Sequence, residues 1–436
     1  MVSMNKRYSI GEKQHHWARI LFPITRSITG PGVRSTIKFL AEKLQGEVKV
    51  HEVASGTQAF DWTVPDEWTI RNAWVEDERG NRVIDFQNHN LHVVGYSEPV
   101  DQWLDLDELQ EHLYSLPEQP DAIPYVTSYY QRRWGFCLSH SQRQQLRHGR
   151  YRALVDADLQ PGVLNYGELV IPGDSDKEVF LSTYVCHPSM ANNELSGPVV
   201  TTAIAQWLQS LPQRRYTYRI VFIPETIGSL VYLSRNMEHL QKQVIAGFNV
   251  TCIGDERAYS YLPSRDGNTL SDQAAQHVLR HIDSNYIRYS WLDRGSDERQ
   301  YCAPGVDLPI ATIMRSKYGT YPEYHTSLDN LDLVTPAGLE GGYQALRRAI
   351  KAIENNIVPK VTVYGEPQLG KRGLYPNVST KGSASGTRIL MNLLSYCDGN
   401  HSLLDIADRI DEPIWELIPL VEQLQSHELL SISQDD

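Results

Sequence analysis

Apolar residues recur at helical spacing in HWARILFPI and VRSTIKFLAEKL, with the turn-rich RSITGPG between them. This predicts two helices within residues 8–46. From about Val48 to Val100 the period shortens to alternation, in VKVHEV, FDWTVP, WTIRNAWVED, RVIDF and LHVVGY, with turns such as ERGNR between. That block reads as strands. LDLDELQEHLYSL then reads as a helix, followed by the polar, aromatic IPYVTSYYQRRWGF. Residues 48–150 are expected to form a small β-rich module of their own.

From about Tyr151 strand and helix patterns alternate. YRALVDAD, VLNYGELVIP, the buried run EVFLSTYVC, YTYRIVFIP, VIAGFNVTCIG and LPIATIMR predict strands. SGPVVTTAIAQWLQSL predicts a helix with Val199, Ala203, Trp207 and Leu211 along one face, and SDQAAQHVLRHI predicts another. In TPAGLEGGYQALRRAIKAI, Thr335 is the expected N-cap and Pro336 the first helical residue. Such alternation implies an α/β domain with a mixed or mostly parallel sheet, made of residues 1–47 and 151–360 with 48–150 inserted. After the Gly/Pro/Ser-rich GEPQLGKRGLYPNVSTKGSASG, three short helical patterns and LLSIS predict a winged-helix-like unit over 361–436.

Charge narrows the partners. The chain has 436 residues and a net charge of −12, and residues 360–436 hold six Lys/Arg against eleven Asp/Glu. Nucleic acid and anionic membrane are therefore not expected as partners, and the winged helix reads as a protein-contact unit rather than a DNA reader. The five cysteines, Cys137, Cys186, Cys252, Cys302 and Cys397, are odd in number and widely spaced. With no apolar leader and no run of the ~20 apolar residues that spans a bilayer, they predict a reduced cytoplasmic protein. A homo-oligomer, or a protein partner on the inserted or winged-helix unit, is compatible with this pattern.

In α/β sheets, ligands gather beyond the carboxyl ends of the strands. His187 follows FLSTYVC, Glu225 follows RIVFIP, Asp255 follows FNVTCIG, and His325 lies in YGTYPEYHTSLDN after LPIATIMR. Imidazole nitrogen and carboxylate oxygen are the donors zinc takes, and a spare carboxylate can serve as base for an attacking water. Each residue alone has a plainer reading, as a hydrogen-bonded histidine, a helix cap or an ion pair. Their joint placement points to a metal site. Arg265, Arg299 and Arg315 could clamp a substrate carboxylate, or pair with Asp266, Asp297 or Glu298. Tyr301, Tyr318 and Tyr324 could line a pocket or fill the core. Trp62, Trp68 and Trp74 read as core and contact residues before a sugar-stacking platform.

The ordered motifs HPSMANNELSG, FIPETIGS, IGD and EYHTSLDN resemble those of the co-catalytic zinc aminopeptidase family. That family includes bacterial leucyl aminopeptidases, glutamate carboxypeptidase and single-zinc glutaminyl cyclases. More closely, the chain is similar to aminopeptidase-like proteins associated with polysaccharide biosynthesis, which carry an inserted small domain and a C-terminal winged helix. The resemblance implies an α/β/α sandwich with a mixed sheet. It implies metal ligands at His187, Asp255 and His325, and a general base at Glu225. Asn193 falls where the family has a metal-bridging aspartate, and Thr226 where it has a ligand of the second zinc. Two dications ~3.5–4 Å apart need a shared anion, so one zinc is expected, with Asn193 Oδ1 as a fourth contact.

The function these residues predict is metal-dependent hydrolysis of an amide bond in a small peptide or an amino-sugar derivative. Arg265, Arg299, Arg315 and Tyr324 are its candidate substrate contacts. The alternative is a non-catalytic binding or assembly protein on a degenerate peptidase scaffold, which the losses at Asn193 and Thr226 favour.

Overall fold

A computed structural model describes residues 9–46, 48–374 and 381–432. Part of the linker-like run, residues 375–380, lies outside them. The core is an eight-stranded mixed sheet. Its order is Lys49–Ala54, Val163–Ile171, Tyr216–Ile223, Ser175–Tyr184, Val244–Asn249, Ile310–Met314, Ser260–Leu262 and Ile287–Arg288. The four strands from Tyr216–Ile223 to Ile310–Met314 run parallel, and antiparallel pairs lie to either side of them.

Helices cover both faces, giving the α/β/α sandwich. Ile10–Leu21, Pro31–Ala41, Ser196–Ser210, Leu270–Ile282 and Pro336–Glu354 share one buried apolar cluster with the sheet. Ile227–Gln243 packs on the other face with the inserted module. Each buried Val, Leu or Ile there contributes about 1.5–3 kcal/mol. Thr335 caps the last long helix, its hydroxyl accepting from Gly338 N–H, and Pro336 is the first helical residue.

The inserted module is built on a four-stranded sheet whose long central pair is Glu67–Asp77 with Arg150–Gln160. Arg150–Gln160 thus pairs inside the module, although the pattern from Tyr151 onward reads as the start of the α/β domain. Conversely, Lys49–Ala54 is an edge strand of the main sheet. Alternation alone cannot assign a strand to one of two sheets, because both present one buried face. The predicted helix after Val100 is only Leu106–Gln110.

The C-terminal unit has helices Lys381–Tyr396, Leu403–Ile410 and Ile414–Ser426, and its last strand, Leu430–Ile432, pairs with Pro359–Val361. It docks on the α/β domain through His277. That ring's Nδ1 is 2.5 Å from Asp408, and its Nε2 accepts the Ile414 N–H at 2.9 Å. The third helix, the one a winged helix would lay in a DNA groove, therefore begins against the α/β domain. All five cysteines are buried and free, and among the described residues no helix is long and apolar enough to cross a membrane.

Candidate active site

Strands Ser175–Tyr184 and Tyr216–Ile223 are parallel neighbours, so the residues just past their carboxyl ends meet. His187 Nε2 lies 3.6 Å from Glu225 Oε2. On the other side of the ring, Nδ1 is 3.0 Å from Glu194 Oε2, which also accepts the His187 backbone N–H at 3.0 Å. A carboxylate on Nδ1 fixes the ring and turns Nε2 toward the cavity. Glu194 is neutralised by Arg26, whose Nε is 3.2 Å from Oε1, with both side chains fully buried. Arg26 also donates to the carbonyls of Leu21 and His187, tying the first helix to the site.

His325 arrives by a different route. Its loop pairs with the inserted module: Tyr125 N–H donates to His325 O at 2.8 Å, and Pro124 and Thr326 form an antiparallel bridge. The His325 ring stacks on Tyr324 with centroids 3.9 Å apart and stands 5.6 Å from the His187 ring. Its Nε2 is buried with no hydrogen-bond partner. Burial, and then the charge on His187, push its pKa down to about 3, so the ring is neutral. His187 is the opposite case. Burial lowers it, but Cys186 and Glu194 more than reverse this and hold it well above an ordinary histidine.

His187, Glu225, Thr226, Arg299 and His325 line one cavity of about 330 Å³, with Cys186, Tyr125 and Tyr129 beside them. Arg299 donates to Thr226 Oγ1 at 2.7 Å, and Thr226 N–H donates to Asp297 at 2.8 Å. The backbone is strained around this centre. Ser189, Thr226, Cys252 and His325 all have positive φ without being glycine, a cost that clusters at functional sites. Gly197 is needed for packing, since a Cβ there would sit 2.3 Å from Val250 O.

Asp255 does not line the cavity. Each of its oxygens takes two donors: Arg257 N–H and the Ser316 hydroxyl on Oδ1, Asn192 Nδ2 and Ser316 N–H on Oδ2. Asn192 also accepts from Gly254 N–H at 2.9 Å. An amide at 192 satisfies both neighbours, whereas an aspartate would face Asp255 as a second anion. Asn193 is buried behind the wall, its Nδ2 without a partner and its N–H on Asp329. Among the described residues, the one group of three such donor atoms within 4.8 Å of one another is Cys186, His187 and Glu194, and Glu194 there is the carboxylate already held by Arg26.

The remaining candidates separate. Arg265 pairs with Asp307 and Arg315 lies 3.8 Å over the Tyr259 ring, so neither reaches the cavity. Tyr301 and Tyr318 are core residues bonded to Ser182 and Glu298. Of the three tryptophans, Trp68 is core and Trp74 lies under Arg82, but Trp62 is 39% exposed and lines the cavity mouth.

Sequence reading missed Glu194, Arg26 and Asp329, and saw Asp297 only as an ion-pair partner for an arginine. Asp329 accepts the N–H groups of Ala191, Asn192 and Asn193, and so caps the start of the Ser196–Ser210 segment, where the chain first makes a π-turn over Ala191–Leu195. Burial and the neighbouring Glu225 raise Asp297 from 3.8 to about 7. A raised acid keeps its proton in the folded chain while the unfolded chain loses it. Its contribution to stability is therefore full below pH ~4 and falls as pH climbs toward ~7. Asp297→Asn is expected to flatten this part of the Tm-versus-pH curve between about pH 4 and 7. A curve matching wild type would show that Asp297 is ionised throughout.

The sequence profile of a family described as Domain of unknown function (DUF4910) matches residues 15–356, and that of a winged helix-turn-helix matches 357–432. A Clostridium acetobutylicum protein, named a candidate polysaccharide biosynthesis protein with aminopeptidase-like domain, is 43% identical over 393 residues, covering 89% of this chain and 88% of its own. A crystal structure described as a candidate peptidase from the same organism matches with TM-score 0.91 at 40% identity, over 97% of this chain and 96% of that one. A zinc aminopeptidase from Bacillus subtilis matches at TM-score 0.56 and 12% identity, over 79% and 95% of the two chains. An M28 peptidase precursor from Shewanella amazonensis gives 0.57 and 11%, over 82% and 97%. At those identities the last two show a shared fold. The chain belongs to the family of unknown function whose profile spans residues 15–356, with a C-terminal winged helix-turn-helix.

Proposed function

We propose that the cavity hydrolyses an amide bond, with Glu225 as general base and one divalent cation held by His187 and His325. The observation that carries this is the Glu225 carboxylate 3.6 Å from His187 Nε2, beside the unpartnered, neutral His325 Nε2. Two imidazoles lining one cavity beside a carboxylate are donors that suit zinc, the metal of the Bacillus subtilis aminopeptidase of the same fold. When bound, the ion supplies polarisation of the substrate carbonyl and acidification of water. Glu225 takes the water's proton and returns it to the departing amine. Arg299, the cavity's one guanidinium among the described residues, orients an anionic or carbonyl group of the substrate. An amino-sugar amide joins a small peptide as a candidate substrate, a reading compatible with the polysaccharide-biosynthesis name of the Clostridium acetobutylicum relative.

Of the other expected ligands, Asp255 would have to give up existing hydrogen bonds to join the ion, and Asn193 does not line the cavity. One zinc of modest affinity per chain is the expected content, falling to background in His187→Ala and His325→Ala by elemental analysis. Binding at Nε2 must also displace the Nε2 proton of a His187 ring held well above an ordinary histidine, while the Nδ1 proton stays on Glu194, so about one proton is released per zinc. Titration calorimetry in buffers of different ionisation enthalpy reads that number. A wild-type chain that holds no zinc at micromolar concentrations sinks the enzyme reading. The second reading, a non-catalytic binding protein on this scaffold, would then stand. Its support is the hydrogen-bonded closure of Asp255 where the family has a ligand.

A further inference from the structure

Trp62 lies on a short hairpin, Gln58–Ala59 with Trp62–Thr63, which packs on the helix Ile227–Gln243 that starts two residues after Glu225. Tyr130 stands against it edge-to-face, with ring centroids 5.6 Å apart and planes at 70°. Both rings line the same cavity as Glu225 and Arg299. They are nonetheless open to water, Trp62 at 39% and Tyr130 at 54%. The inserted module buries Trp68 with its indole N–H bonded to Ser97 O, so it has room for core tryptophans. Trp62 and Tyr130 are held at the mouth instead.

We propose that Trp62 and Tyr130 form a stacking subsite for the pyranose ring of an N-acylated amino sugar. This deepens, and rests on, the reading of the cavity as an amide-hydrolysing site. An aliphatic or aromatic side chain is best held by an enclosed apolar pocket, because its whole surface gains from leaving water. A pyranose is amphipathic: one face is a sheet of C–H bonds, and its edge carries hydroxyls that stay hydrated. Two half-exposed aromatic faces at an open rim, above a floor with Thr127, Arg299 and Glu225, match that shape. With the ring at the rim, the N-acyl group reaches inward. Water adds across the amide carbon–nitrogen bond, giving a carboxylic acid and the free amino sugar.

The test is ligand-observed NMR and affinity titration of the full chain with methyl N-acetylglucosaminide, beside leucinamide as the peptide-like probe. Trp62→Ala and Tyr130→Ala are each expected to weaken the glycoside about tenfold and to leave leucinamide unchanged. Trp62→Tyr should keep most of the affinity at an unchanged melting temperature, which separates stacking from a folding defect. The comparison is repeated with each rim alanine variant in a Glu225→Gln background, where the same loss of about tenfold is expected, so binding is read apart from hydrolysis. Glycoside affinity that is undetectable, or equal in wild type and both alanine variants, overturns the subsite. So does loss of leucinamide binding alone in Trp62→Ala, which would make the rim a pocket for a peptide side chain.

Discussion

Glu225→Gln is expected to lower kcat for amide hydrolysis by roughly 10²–10⁴-fold while leaving the melting temperature and zinc content near wild type. Glutamine keeps the shape and the carbonyl oxygen but cannot take a proton. Among the described residues, no other group on the cavity wall replaces it. His187 is held well above an ordinary histidine and so keeps its charge, and His325 is pushed down to about 3 and is a poor base. Burial raises the Glu225 carboxyl above its usual 4.5, an effect that the positive His187 only partly offsets. A base with a raised pKa is protonated and idle at low pH. The acid limb of kcat/KM should therefore rise through an apparent pKa above 4.5 and be absent in any residual activity of the variant. If Glu225→Gln turned over within threefold of wild type, the carboxylate would not be the base.

The second large effect is structural. Arg26→Met is expected to cost about 3–5 kcal/mol, because it removes the guanidinium from buried Glu194 and leaves only the His187 ring beside that carboxylate. Both side chains are fully buried, and Arg26 also donates to the carbonyls of Leu21 and His187. For a domain of this size the loss corresponds to a fall in melting temperature of roughly 10 °C. Adding Glu194→Gln should recover part of that fall, since the buried carboxylate charge that Arg26 balanced is gone. It should not restore the site, because His187 then loses the carboxylate that fixes its ring. A melting temperature unchanged in Arg26→Met would mean that water or another cation compensates Glu194.

His187 and Glu225 could be found from the chain because a parallel sheet makes strand ends a local property. An apolar run stops, and the next polar residue is at the ligand edge. Thr335 and Pro336 were legible for the same reason, since a cap is written within four residues. Asp255 follows the same rule and still fails to reach the cavity. Its position past a strand says nothing about the two donors on each oxygen, which come from Asn192, Arg257 and Ser316.

Arg26 and Glu194 lie 168 positions apart, and no spacing links them. Trp62 carries the same alternating pattern as the buried Trp68, so only packing separates the rim residue from the core residue. The sequence by itself determined the strand–helix alternation, the acidic balance of the C-terminal unit, and the pair His187 and Glu225, because each depends on residues close in the chain. The tertiary structure alone decided how His325 is held, through Tyr125 of the inserted module. It likewise decided which carboxylate orients His187, and that Trp62 and Tyr130 stand at one mouth, because those contacts join segments whose separation in sequence carries no signal.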